Sequence, residues 1–168
     1  LLSALSFRQN PNELINVRAG IILNPIGSFN QNHDGPKWMF TNRPIVSTDI
    51  LPATLSNVGV CVYGKYRLPS TSFGYELYLS NGFDGRIIDN EFGRTRLASV
   101  KDNPDRFAEN PTSVPLVTGK IATRNTLGEF GISTMIGLYT PQLEEGLIVD
   151  TERWLYVVCV DFAVDVKD

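Results

Sequence analysis

The feature that most constrains this chain is a period of two in its apolar residues, sustained through most of its length. Ile15, Val17, Ala19, Ile21 and Leu23 alternate with Asn16, Arg18, Gly20, Ile22 and Asn24. Successive side chains of an extended strand point to opposite sides, so this pattern reads as a strand with one apolar and one polar face. The same alternation returns in Val58, Val60, Val62 and Tyr66, in Tyr75, Leu77 and Leu79, and in Val117 and Ile121. It continues through Phe130, Ile132, Ile136 and Leu138 and closes with Trp154, Tyr156, Val158, Val160, Phe162, Val164 and Val166. Strands are therefore expected near 14–24, 58–67, 74–80, 116–124, 128–139 and 153–166, with residues 2–7 reading as the end of another. No segment shows a helical period. The expected class is all-β, with 1–168 as a single unit.

Every charged residue inside these strands lies on the polar register: Arg18, Lys65, Arg67, Glu76, Lys120, Arg124, Glu129, Arg153, Asp161 and Asp165. One face is thus set against an apolar medium, and a protein core or a lipid bilayer would select the same pattern. The connections separate the two. Residues 25–57 and 81–115 make long connections, 68–74 and 125–128 short ones, and 140–152 one of medium length. Long loops on one rim and tight turns on the other describe an antiparallel up-and-down meander of the kind found in transmembrane barrels. Two loops of that size are unusual in a compact soluble domain. Aromatic residues sit at strand ends, Tyr66, Tyr75 and Phe130 toward the short turns and Trp154 and Tyr156 toward the long loops, which suits a membrane-water interface.

Several functions are disfavoured on composition. A formal net charge of −3 gives no basic excess for phosphate, so no nucleic-acid partner is expected. No apolar run approaches the length of a spanning helix. Cys61 and Cys159 are too far apart in sequence for a Cys-x-x-Cys pair, and His33 is the single histidine, so neither a clustered zinc site nor a cofactor is expected. Asp89, Asn90, Glu91, Asp102, Asn103 and Asp105 offer oxygen ligands without the spacing of a calcium-binding loop, and solvated loop residues are expected instead. His33 beside Asp34 suggests a base and its orienter, but the stretch is rich in turn residues and no nucleophile motif accompanies it. No catalysis is expected.

The run Asn24-Pro25-Ile26-Gly27-Ser28-Phe29-Asn30, continuing through His33-Asp34-Gly35-Pro36-Lys37-Trp38 and Asn42-Arg43-Pro44 to Leu51-Pro52-Ala53-Thr54, resembles the first long loop of porin-like outer-membrane β-barrel proteins of Gram-negative bacteria. Gly59-Val60-Cys61-Val62-Tyr63-Gly64 and Tyr75-Glu76-Leu77-Tyr78-Leu79-Ser80-Asn81-Gly82 are similar to the two strands that follow in that family. A looser likeness extends through Gly119-Lys120-Ile121 and Gly131-Ile132-Ser133 to Asp161. Such barrels usually end on a terminal aromatic residue, whereas this chain ends Asp165-Val166-Lys167-Asp168, and the interrupted apolar stretch from Leu1 to Phe7 does not read as a signal peptide, so an internal fragment is expected. A barrel of 16 strands would need about twice this length.

The resemblance implies an outer-membrane channel for passive diffusion of small hydrophilic solutes, with the lipid bilayer as partner and a homotrimer as an assembly it allows. Its pore would be lined by Arg18, Lys65, Arg67, Glu76, Lys120, Arg124, Glu129 and Asp161. Either long loop, the first carrying His33, Asp34 and Arg43 or the second carrying Arg86, would fold inward and narrow it. The strand and loop charges are too balanced to favour anions or cations. The alternation itself leaves a second reading open: a soluble β-sandwich or small barrel acting as a ligand- or carbohydrate-binding module, with the apolar face as its core.

Overall fold

A computed structural model describes residues 4–7, 14–31, 45, 49–52, 54–97, 107–108, 110–140, 143–144, 147–148 and 151–164. Seven strands form one antiparallel sheet in strictly sequential order. They are β1 (Ala4–Phe7), β2 (Asn16–Leu23), β3 (Ser56–Arg67), β4 (Thr71–Ser80), β5 (Leu116–Asn125), β6 (Gly128–Thr140) and, last in the order, β9 (Arg153–Val164). Between β6 and β9, the two-residue strands β7 (Leu143–Glu144) and β8 (Leu147–Ile148) pair as a separate ladder. The fold is an all-β meander, as the alternation predicts. β1 and β9 stand at opposite ends of the strand order and are not paired with each other, so the sheet is open.

Local chemistry fixes the register. At the β5–β6 turn the Asn125 side chain accepts the Leu127 N–H at 2.8 Å, and Gly128 takes a positive φ of 147° that returns the chain into β6. Asn125 then faces Gly128, and the pairing runs unbroken to Val117 opposite Ile136. The β3–β4 turn closes with the Leu68 N–H on the Thr71 carbonyl at 2.7 Å. One irregularity interrupts the β6–β9 pairing between Leu138 and Thr140, where Leu138 is buried although it belongs to the apolar register.

Short helical elements also lie outside the period of two. Residues Gly27–Gln31 form a short helix, α1, and Gly85–Ile87 form a single 3-10 turn capped by the Asp84 side chain, which accepts the Arg86 N–H at 3.0 Å. Five and three residues are too few to display a period of 3.6, so neither is visible as hydrophobic patterning.

The main core does not lie on the apolar register. It lies on the opposite face, at the long-loop end, where Ile26, Leu55, Phe83, Ile87 and Leu97 of the connections pack on Leu116, Met135, Tyr139 and Leu155 of the sheet. A smaller cluster of Ile22, Cys61 and Tyr78, flanked by Tyr63, joins β2, β3 and β4 on the same face.

Candidate functional site

The polar face divides into three zones along the strands. Its long-loop end is the dry core just described. Its middle is a buried polar network. Its short-turn end carries Lys65, Arg67 and Arg124, all exposed, with the half-buried Glu129 directly opposite Arg124 across β5–β6.

The middle zone is built by register. Glu76 of β4 faces Lys120 of β5, and Lys120 faces Ser133 of β6. The strap α1 crosses this rung. The Gly27 N–H donates to Ser133 Oγ at 2.9 Å, and Lys120 Nζ donates to the Gly27 carbonyl at 3.2 Å. Gln31 completes the crossing: its Nε2 donates to both Glu76 oxygens at 2.9 and 3.0 Å, while its Oε1 accepts from Lys120 Nζ at 3.4 Å. Tyr78 adds a hydroxyl donor to Glu76 at 3.3 Å.

Lys120 is only 6% exposed, so its charge needs a partner to be tolerated there. Asp161 of β9 supplies it, Oδ1 lying 3.7 Å from Nζ. The carboxylate fits because Gly131 faces it across β6–β9: a Cβ on Gly131 would come within 2.8 Å of Asp161 Oδ2. On the far side of the face, the Arg18 guanidinium stacks 4.6 Å above the Tyr63 ring.

Asparagines tie the long-loop ends to the sheet. Asn30 donates to the Asn24 and Leu55 carbonyls at 2.7 and 2.9 Å and accepts the Leu55 N–H at 2.9 Å. Asn24 donates to the Asn57 side chain and accepts from Thr118 at 3.4 Å, while Asn57 donates to the Asn81 carbonyl at 2.7 Å. Gly27 enters α1 with φ of 67°, a conformation an L side chain rarely adopts, and its α-carbon packs toward the Cys159 thiol.

The other face is an exposed apolar belt. Reading across the sheet, the row nearest the short turns is Tyr66, Phe73, Thr123, Phe130 and Phe162. Above it run Tyr75, Ile121, Ile132 and Val160, then Leu79, Val117, Ile136 and Tyr156, with Trp154 stacked on Tyr156. Val17, Val60, Ile132, Ile136, Val158 and Val160 are all exposed, Val158 at 72%, while Ile21 is half-buried. No charged side chain stands on this register in β2 to β6 or β9.

Of the residues expected to line a pore, the fold brings Glu76, Lys120 and Asp161 into one network through Gln31. It leaves Lys65, Arg67, Arg124 and Glu129 at the short-turn end, and Arg18 on Tyr63. Arg86 is exposed on the 81–97 connection, 3.7 Å from Asp84. His33, Asp34 and Arg43 lie outside the described residues, as do Asp102, Asn103, Asp105 and Asp165. Asn90 is spent on its own loop, donating to the Ile87 and Arg94 carbonyls at 3.2 and 2.9 Å. Among the described residues no three of His, Cys, Asp or Glu are grouped so as to hold a metal ion.

Sequence reasoning passed over Gln31, Ser133, Gly27 and the asparagines. A signal was present: apolar Cys61, Tyr78, Met135, Leu155 and Cys159 interrupt the polar register, and a wall facing only water would not carry them.

No known protein family matches the chain, and no solved structure matches it. Over 66 residues, 39% of this chain, it is 35% identical to a protein of Aquifex aeolicus (strain VF5) described as uncharacterized. The chain spans 14% of the length of that relative.

Proposed function

We propose that this chain is a section of the wall of a porin-like outer-membrane channel, through which small hydrophilic solutes diffuse passively, and that it carries no reaction. One observation supports the reading above the rest: a continuous apolar belt, several strands wide, is exposed and free of charge, while the charges and the packed core lie behind it. Full burial of a single Val, Leu, Ile or Phe side chain stabilises by about 1.5–3 kcal/mol, so leaving this belt in water forgoes tens of kcal/mol. A bilayer recovers that energy.

The dimensions agree. From Trp154 to Val164 the outward residues of β9 cover ten steps of about 3.3 Å, which at a tilt of about 40° is about 25 Å of bilayer. The aromatic row Tyr66, Phe73, Phe130 and Phe162 lies at one edge of the belt, as an interfacial girdle does. The β-sandwich reading requires a second sheet over the same face, and the other sheet among the described residues is the two-stranded β7–β8 ladder.

The test is single-channel recording of the purified full-length protein in planar lipid bilayers. Stepwise, ohmic conductance is expected. Its absence, together with recovery of the protein in the soluble fraction of the cell, rejects the channel.

A further inference from the structure

We infer that Gln31 and Lys120 are the reactants of a self-joining step, in which the Lys120 amine displaces ammonia from the Gln31 carboxamide and leaves a covalent amide between α1 and β5. The inference stands on the polar network alone and does not depend on whether that face lines a channel.

The parts such an exchange needs are already in contact. Lys120 Nζ lies 3.4 Å from Gln31 Oε1, and the carbon to be attacked is one C=O bond, about 1.2 Å, from that oxygen. The terminal torsion of a glutamine is broad, so a turn of the amide about it presents the carbon to Nζ without moving the backbone. The nitrogen to be expelled, Nε2, donates to both oxygens of Glu76 at 2.9 and 3.0 Å. Register sets Glu76 directly opposite Lys120, so one carboxylate stands beside both the arriving and the departing nitrogen.

The amine must also give up its charge, and the site holds an acceptor. Asp161 Oδ1 is 3.7 Å from Nζ, a loose approach beside the 2.7–2.9 Å or so of a tight charge-assisted bond to a carboxylate. Its other oxygen, Oδ2, is buried with no hydrogen-bond partner among the described residues. Lys120 is nearly dry, which disfavours water as a competing nucleophile.

Atoms and charges balance. The ammonium passes one proton to Asp161, and the free amine adds to Gln31 Cδ. Glu76 takes a second proton from the adding nitrogen and delivers it to Nε2. The Cδ–Nε2 bond breaks, ammonia leaves, and the product holds a Cδ–Nζ amide, a protonated Asp161 and Glu76 in its starting state. Fixing the two groups side by side supplies the drive, since well-oriented neighbours react as if present at about 10⁵–10⁸ M.

The test follows the full-length protein, folded into lipid vesicles, by protease digestion and mass spectrometry over successive days. Peptides carrying Gln31 and Lys120 are expected to disappear together and to be replaced by one linked species, lighter than their sum by one ammonia. The same protein held in urea is expected to stay unlinked, because only the fold brings the groups together. Lys120→Arg keeps the positive charge and is expected to abolish the linkage. Glu76→Gln removes the proton carrier and is expected to slow it about a hundredfold. Separate, unmodified peptides throughout the folded native protein overturn the proposal. So does conversion of Gln31 to glutamate, which shows water attacking in place of Nζ, and so does linkage at the native rate in Glu76→Gln. Conductance enters none of these readouts, so a failed linkage and a failed channel are told apart.

Discussion

Lys120 is the residue on which the polar face turns, since it meets Gly27, Gln31 and Asp161 at once from a nearly dry position. Lys120→Met should destabilise the full-length protein by about 3 kcal/mol, because Asp161 keeps its charge and loses its only ion-pair partner among the described residues. Equilibrium urea unfolding in lipid vesicles measures it. Lys120→Met combined with Asp161→Leu should recover most of that loss, since no charge is then stranded. At Gly131 the expected effect is steric. Gly131→Ala pushes a methyl group against Asp161 Oδ2, a buried oxygen with no hydrogen-bond partner among the described residues, and should cost about 1–3 kcal/mol in the same assay. A melting curve unchanged from the native protein would show that the carboxylate moves aside freely.

At the scale of the element, the strands are sorted by depth. Ile132 stands in a middle row of the belt and Phe130 in the girdle row, two residues along the same strand. If the belt meets lipid, Ile132→Arg should destabilise by about 2–4 kcal/mol and Phe130→Arg by about 1 kcal/mol or less. Equal penalties, measured by the same unfolding, would point to a protein partner over the face. These strands were legible in the sequence because each residue's side is decided by its immediate neighbours, so β2, β5, β6 and β9 begin and end within about two residues of their expected bounds. β4 starts earlier, at Thr71, because Phe73 extends the outward register past the Pro/Ser turn. The strap and the dry core were not legible for the converse reason. Ile26 packs in a core with Met135 and Leu155, and Gln31 meets Glu76 and Lys120, partners set by a topology that no local period encodes. Asn24 reads as the end of a strand's polar register and Asn30 as part of a long loop; the Asn30 side chain in fact satisfies the Asn24 and Leu55 backbone at the neck of that loop, while the Asn24 side chain bonds Asn57 and Thr118.

For the whole molecule, the arrangement inverts that of a water-soluble sheet, with polar groups and core on one side and bare apolar rows on the other. The full-length protein diluted from urea into lipid vesicles should gain far-UV β-signal, and diluted into buffer alone it should precipitate. Folding to a clear solution in buffer would show that protein covers the belt. The order of events is also written into the contacts. Each pairing of the main sheet from β2 to β9 joins strands adjacent in the sheet's sequential order, and β3–β4 and β5–β6 close through short turns, so the sheet can grow hairpin by hairpin with little loop-closure cost. The Gly27 bonds to Ser133 and Lys120 span 106 and 93 residues, and neither can form until β5 and β6 are in place. The strap is therefore a late arrival: the sheet is assembled with its polar face still uncovered, and α1 is laid across that face only after the strands beneath it exist.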